Sequence, residues 1–170
     1  VAIGEALAKA RKRQGYSQED LSAHLPISRE SVAKYETGSR RLPDDMRKPI
    51  AEALDDVEYY FVTWKEAAGE VAIPFLNGEH VDHHPSSMAF MVKGETAEAL
   101  QHLEKVSWTK PVHTRTEAEK EDMKKVLFEL LDAAASIINL VAIVAREYRF
   151  SLKEIFKVWR VSLKLRKLNR

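Results

Sequence analysis

Arg29, Glu30, Ser31 and Lys34 lie close together on a stretch whose apolar positions point elsewhere. They supply the donors and acceptors that read base edges. A guanidinium presents two parallel donors to O6 and N7 of guanine, a carboxylate accepts from the N4 amine of cytosine, and a lysine one turn later reaches a guanine or a phosphate. A half-site containing G·C pairs is the expected target. The competing view makes Arg29 and Glu30 a solvated ion pair on an ordinary helix. Arg40 and Arg41 follow this stretch, and Lys9, Lys12 and Arg13 precede it. They are placed to hold backbone phosphates on either side of a groove, or else form a plain solvated charge run.

Those side chains can read a groove only from a helix held against a second one, and single residues define both. Ser17 is placed to cap a helix starting at Gln18, and Asp20 supplies a weaker form of the reciprocal capping box. Pro26 ends that helix near Leu25, because it disfavours helical dihedrals in the residue before it and has no amide for the ladder. Ser28 then caps a second short helix, and Gly38 stands where a left-handed C-terminal residue is wanted. Leu21, Leu25, Ile27, Val32 and Tyr35 form the inward stripe.

Residues Ile3 to Val57 resemble the lambda-repressor/Cro type of helix-turn-helix domain, the XRE family. The matching residues are Ile3, Leu7, Arg11 and Arg13, then Gly15, Ser17 to Leu21, Ile27-Ser28, Val32, Tyr35-Glu36 and Gly38. Arg41, Pro43, Ile50-Ala51 and Ala53-Leu54 extend the match into a further helix. The resemblance implies that Ser28, Arg29, Glu30, Ser31 and Lys34 enter the major groove of double-stranded operator DNA and that Gln18 holds a phosphate. Pro26 departs from the family, which more often has glycine or another turn residue there.

Composition bounds the rest. The chain has 170 residues, 45% hydrophobic and 31% charged, enough to bury a core as two small units. It has no cysteine, so disulfides and thiolate metal sites are excluded. No secretory leader is read at the N-terminus, and a cytoplasmic location is expected. The net charge of +1 hides an asymmetry: residues 113–170 hold 13 basic and 8 acidic side chains, against 4 and 8 in residues 58–112.

The expected fold is mainly α, with a reader domain over residues 1–68, a linker with one short helix over 69–112, and a helical bundle or dimerisation region over 113–170. Val57, Tyr60, Phe61, Trp64 and Ala68 recur at helical spacing, giving a fifth helix that closes at Gly69. Between Gly69 and Gly94 no period persists. The sequence reads there as an ordered loop or linker in which Asn77-Gly78 favours the tight turn of a short hairpin, followed by a short helix from Thr96 to Val106. Thr116 and Glu119 then make a capping box, and no proline or glycine intervenes before Tyr148. Met123, Leu127, Leu130, Ala134, Ile137, Val141, Val144 and Tyr148 form a seam along this long helix, flanked by Val126, Leu131, Ile138, Leu140 and Ile143, and homodimerisation along it is expected. The uncharged run 133–145 is too short for a bilayer, so no membrane span is expected. Ser151 and Glu154 cap a last helix with an apolar face of Leu152, Ile155, Phe156, Trp159 and Leu163. Its basic stripe of Lys153, Lys157, Arg160, Lys164 and Lys167 reads as a solvated face, a contact with DNA phosphates or an acidic partner, or a membrane-surface face.

Enzymatic readings are weaker. His80, Asp82, His83 and His84 could bind a divalent metal, yet clustered histidines in a proline-bounded loop are ordinarily turn residues, and neither metal nor cofactor is expected. Ala68-Gly69 and Ser87-Met88 faintly resemble the cleavage dipeptide and nucleophile of self-cleaving phage repressors, but Lys124 and Lys125, the available bases, fall on the long helix. No enzyme is expected. The sequence reads as a bacterial or phage repressor that binds operator DNA as a dimer, the alternative being an antitoxin-like autoregulator whose C-terminal helices hold a partner protein.

Overall fold

The computed structural model describes residues 2–169. It is 71% helical, with no strand among the described residues, which makes the fold mainly α. The chain divides into two compact units, one comprising the residues up to Pro74 and those from Ala145 on, the other Phe75–Val144. The stretches expected from sequence, 1–68, 69–112 and 113–170, do not coincide with these units. The end of the chain returns to the first unit, where Arg146 pairs with Glu58 at 3.4 Å and the Lys153 amide donates to Asp55 Oδ1 at 3.2 Å.

In the first unit α1 (Ile3–Arg13), α2 (Gln18–Ala23), α3 (Arg29–Glu36), α4 (Asp44–Leu54) and α5 (Val57–Ala68) enclose one core. Leu7, Leu21, Val32, Ile50 and Leu54 are buried at its centre, with Tyr35 and Tyr59 beside them; Ile3, Leu25 and Ile27 pack on it partly buried. The inward stripe read from sequence is the stripe the core uses. Ser17 Oγ accepts from the Asp20 amide at 3.0 Å, and the Asp20 carboxylate accepts from the Ser17 amide at 2.8 Å, so the capping box is complete. At α5 the buried Asp56 is the cap, accepting from the Tyr59 amide at 2.9 Å, and the helix ends before Gly69 as its spacing predicts.

The second unit contains α6 (Pro85–Lys105) and most of α7 (Glu117–Glu147). The sequence pattern predicts only a short helix at Thr96–Val106, whereas α6 begins eleven residues earlier. Pro85 takes the first helical position, where its missing amide costs nothing, and His84 caps it. Gly94 sits inside this helix; an interior glycine costs only about 1 kcal/mol and does not end it. The hairpin at Asn77-Gly78 does not form. The Leu76 amide donates to Asn139 Oδ1 at 2.9 Å, and Gly78 closes only a turn through the Val81 amide.

α7 starts as expected, with both bonds of the Thr116–Glu119 box present. Lys110 lies 2.5 Å from Glu119 and, with the Thr116 amide, pulls its carboxyl down to about 2. Val126, Ala133, Ser136, Asn139 and Ile143 are buried. Among the described residues α7 alone is long and apolar enough to cross a membrane, a test that core helices of soluble proteins also pass. α8 (Leu152–Leu165) closes the chain in the first unit. Only half of its expected capping box is made, because Glu154 offers its amide to Ser151 while its carboxylate pairs with Lys157.

Candidate nucleic-acid interface

α2, the turn through Pro26 and α3 place a short capped helix on the surface of the first unit. Ser28 Oγ accepts from the Ser31 amide at 3.2 Å and lies the same distance from Ser31 Oγ. Both hydroxyls are thus partly engaged in starting α3. Val32 and Tyr35 anchor the opposite face in the core. Arg29, Glu30 and Lys34 are exposed, and their side chains make no hydrogen bond or ion pair among the described residues. The solvated Arg29–Glu30 pair does not form. The three groups suited to base edges stand free on one helix.

What holds α3 in place is a buried ion pair that sequence reasoning did not identify. Arg11 Nε and Nη2 donate to the Glu36 carboxylate at 2.5 and 3.1 Å, and Arg11 Nη1 donates to the Tyr16 carbonyl at 2.5 Å. Burial alone would raise the Glu36 carboxyl; hydrogen bonds from Arg11 and Gln18, with the Arg11 charge, outweigh it and hold the group below its ordinary value. One guanidinium so ties α1 to the α1–α2 turn and to the last residue of α3. The signal for it was there: Arg11 continues the i, i+4 apolar line of Ile3 and Leu7, where a charge needs a partner.

α1 also meets α3 backbone to backbone. A Cβ on Gly4 would lie 2.2 Å from the Tyr35 carbonyl oxygen, so only glycine permits this approach. Just past the same end of α3, Gly38 adopts φ +72° and turns the chain toward Arg40 and Arg41.

The remaining residues read as DNA contacts are distributed unevenly. Gln18 Nε2 donates to Glu36 at 2.9 Å, which fixes its amide at the start of α2 with its other polar atoms unspent. Arg40 and Arg41 are exposed; Arg41 has only a 3.9 Å approach to Asp44. Lys9 is exposed and pairs with Glu5, and Lys12 is exposed. Arg13 is the exception. It makes two hydrogen bonds to Asp56, at 2.9 and 2.6 Å, and a third contact with Glu58 at 3.0 Å. These carboxylates take its fork of donors, and Arg13 serves as a strut from α1 to α5 rather than a free phosphate ligand.

The features that invited enzymatic readings have local uses. Asp82 accepts from the His84 amide and from Ser87 Oγ, His83 bonds the Leu76 carbonyl, and among the described residues no group of three or more potential ligands is placed to hold a metal ion. Ser87 therefore faces a carboxylate, while Lys124 and Lys125 pair with Glu121 and Asp122 on their own helix.

A capped two-helix unit of this kind, its second helix displayed on a five-helix core, defines a helix-turn-helix domain. Residues 7–60 match the family described as helix-turn-helix, the segment whose residues resemble the XRE and lambda-repressor readers. That family is one of DNA-binding transcriptional regulators, and the match over these residues suggests a DNA-binding role. No significant match is found among curated proteins or solved structures.

Proposed function

We propose that the protein is a sequence-specific transcriptional repressor that inserts α3 into the major groove of operator DNA and acts as a homodimer. Arg29, Glu30 and Lys34 read bases, with Ser28 and Ser31 at the helix start. Gln18, Lys9, Lys12, Arg40 and Arg41 hold phosphates. The observation that carries this reading is that Arg29, Glu30 and Lys34 stand exposed and unpaired on a helix braced from behind by the buried Arg11–Glu36 pair. A base reader needs both properties, since it must have free donors at a fixed angle. Binding to chromosomal DNA sets the working location in the cytoplasm or nucleoid.

Support for the dimer comes from the second unit. Of the seam residues Leu127, Leu130, Ile137, Val141 and Val144, Leu127 and Ile137 are exposed and the others are half-buried. Phe128 and Leu131 add to the exposed surface at 63% and 55%. A second copy covering these side chains would remove them from water and set two reading helices on half-sites one helical turn, or a multiple of it, apart. Selection from random DNA with the purified full chain tests the reading. A recovered motif of two G·C-containing half-sites is expected; recovery of no motif would sink it.

A further inference from the structure

α8 carries more apolar surface than the first unit covers. Leu152 is buried at its start, and Phe156 and Leu163 face inward half-buried. A second apolar strip faces outward: Ile155, Val158, Val161 and Leu165, with Val158 67% and Leu165 80% exposed. At 100° per residue, Ile155, Val158 and Val161 fan over about 120° of the helix circumference. Beside that strip run Lys153, Lys157, Arg160 and Lys164, opposed on this helix by Glu154 alone. At the head of the helix the apolar strip continues into a shallow groove of about 580 Å³ that includes Arg149 and Phe150.

Three occupants can be weighed by chemistry. DNA would satisfy the amines and leave Val158 and Leu165 against a polar backbone. A second α8 would oppose one basic stripe to another, with a single glutamate on each side to offset it. An apolar surface bearing negative charge at its boundary satisfies both strips at once. The wide fan of apolar side chains suits a flat surface better than the narrow a/d line of a helix–helix seam. We propose that α8 is an interfacial helix that docks the protein on anionic lipid bilayers, with Val158, Val161 and Leu165 below the headgroups, Trp159 at their level, and Lys157, Arg160 and Lys164 on lipid phosphates. The sequence leaves this stripe open between solvent, DNA or an acidic partner, and a membrane surface; the outward apolar strip beside it favours the last.

The test is flotation of the full chain with vesicles of phosphatidylcholine, or of phosphatidylcholine and phosphatidylglycerol in equal parts. Binding is expected only to the anionic vesicles, fading as salt is raised. With Trp64 and Trp108 replaced by Phe, the emission of Trp159 should shift to the blue on binding. Val158→Gln/Leu165→Gln keeps every positive charge and should weaken binding at least about tenfold, as should Lys157→Gln/Arg160→Gln/Lys164→Gln. These side chains are exposed, and unchanged thermal melting of both variants checks that the fold survives. The proposal is overturned if anionic vesicles do not float the protein, or if Val158→Gln/Leu165→Gln floats as well as wild type, which is adhesion by charge alone. It is equally overturned if the triple Gln variant makes the salt slope of DNA binding shallower by about two to three units, because the stripe would then belong to DNA.

Discussion

Glu36, the last residue of α3, is gripped by Arg11 of α1 through two hydrogen bonds of 2.5 and 3.1 Å, and both side chains are almost wholly buried. α3 is therefore oriented by a charge pair behind it and not by its caps alone. Removing one partner strands the other charge in the core. Glu36→Ala should destabilise the protein by about 3–5 kcal/mol in urea unfolding. Arg11→Met/Glu36→Leu, which removes both charges and keeps volume, should recover most of that loss. A double variant no more stable than Glu36→Ala would show that the pair supplies more than mutual neutralisation.

The same pair sets an acid limit. The Glu36 carboxyl lies below its ordinary value in the folded protein, so the folded state binds its proton less readily than the unfolded chain does. Its contribution is fully present above the ordinary value of 4.5 and is lost as pH falls through the lower folded value. Urea midpoints should change little on this account from about pH 7 to 5 and then fall on further acidification. In Glu36→Gln the part of that fall due to this residue should disappear. A slope identical to wild type in Glu36→Gln would assign acid sensitivity elsewhere.

Gly4 offers a test by volume. Its absent Cβ leaves room for the Tyr35 carbonyl, 2.2 Å from where a methyl would sit, and this neighbour is backbone that cannot swing aside. Gly4→Ala should cost about 1–3 kcal/mol although alanine favours the helix. Because α1 must back away from the end of α3, DNA affinity should fall as well. A stabilised Gly4→Ala variant would show that the two helices have freedom to part.

The sequence made α1–α5 legible because its signals there are local: Ser17 and Ser28 cap, Pro26 stops, Gly38 and Gly69 turn, and the apolar stripe is the buried one. What escaped was set by tertiary partners. Arg13 looks like a surface cation until Asp56, 43 residues on, takes its donors. Gly4 looks like a weak helix residue until Tyr35 is placed against it. The first half of α6 is illegible because its apolar period is faint, whereas burial of Met88 and Ala99 sustains the helix across Gly94. For α8 the sequence supplied the stripes but not which of them the first unit covers.

Three arginines near the interface should separate by assay. Arg29→Ala should cost about 1–3 kcal/mol on the preferred site and relax the choice at one base pair. Arg41→Ala should weaken all sequences about equally and reduce the salt slope by about one unit. Arg13→Gln should leave both specificity and slope unchanged but lower the melting temperature, since its contacts are Asp56 and Glu58. If Arg13→Gln instead flattens the salt slope, the strut opens on DNA and the arginine is a phosphate ligand after all.

The dimer is best tested where the second unit exposes what a partner would cover. Leu127 and Leu131 are each more than half exposed, so Leu127→Asp/Leu131→Asp puts charge on the surface without opening the core. In a monomer these changes would be nearly neutral, because surface substitutions seldom exceed about 0.5 kcal/mol. In a dimer sealed by α7 they would bury two unpaired carboxylates per subunit, and association should fail. Sedimentation velocity at micromolar concentration should show wild type as a dimer and the variant as a folded monomer with unchanged helix content. Its affinity for a full operator should drop far more than for a single half-site, since each reader then binds without the effective concentration its partner provides. A wild-type protein that sediments as a monomer throughout would refute the homodimer and leave the exposed α7 side chains to another partner.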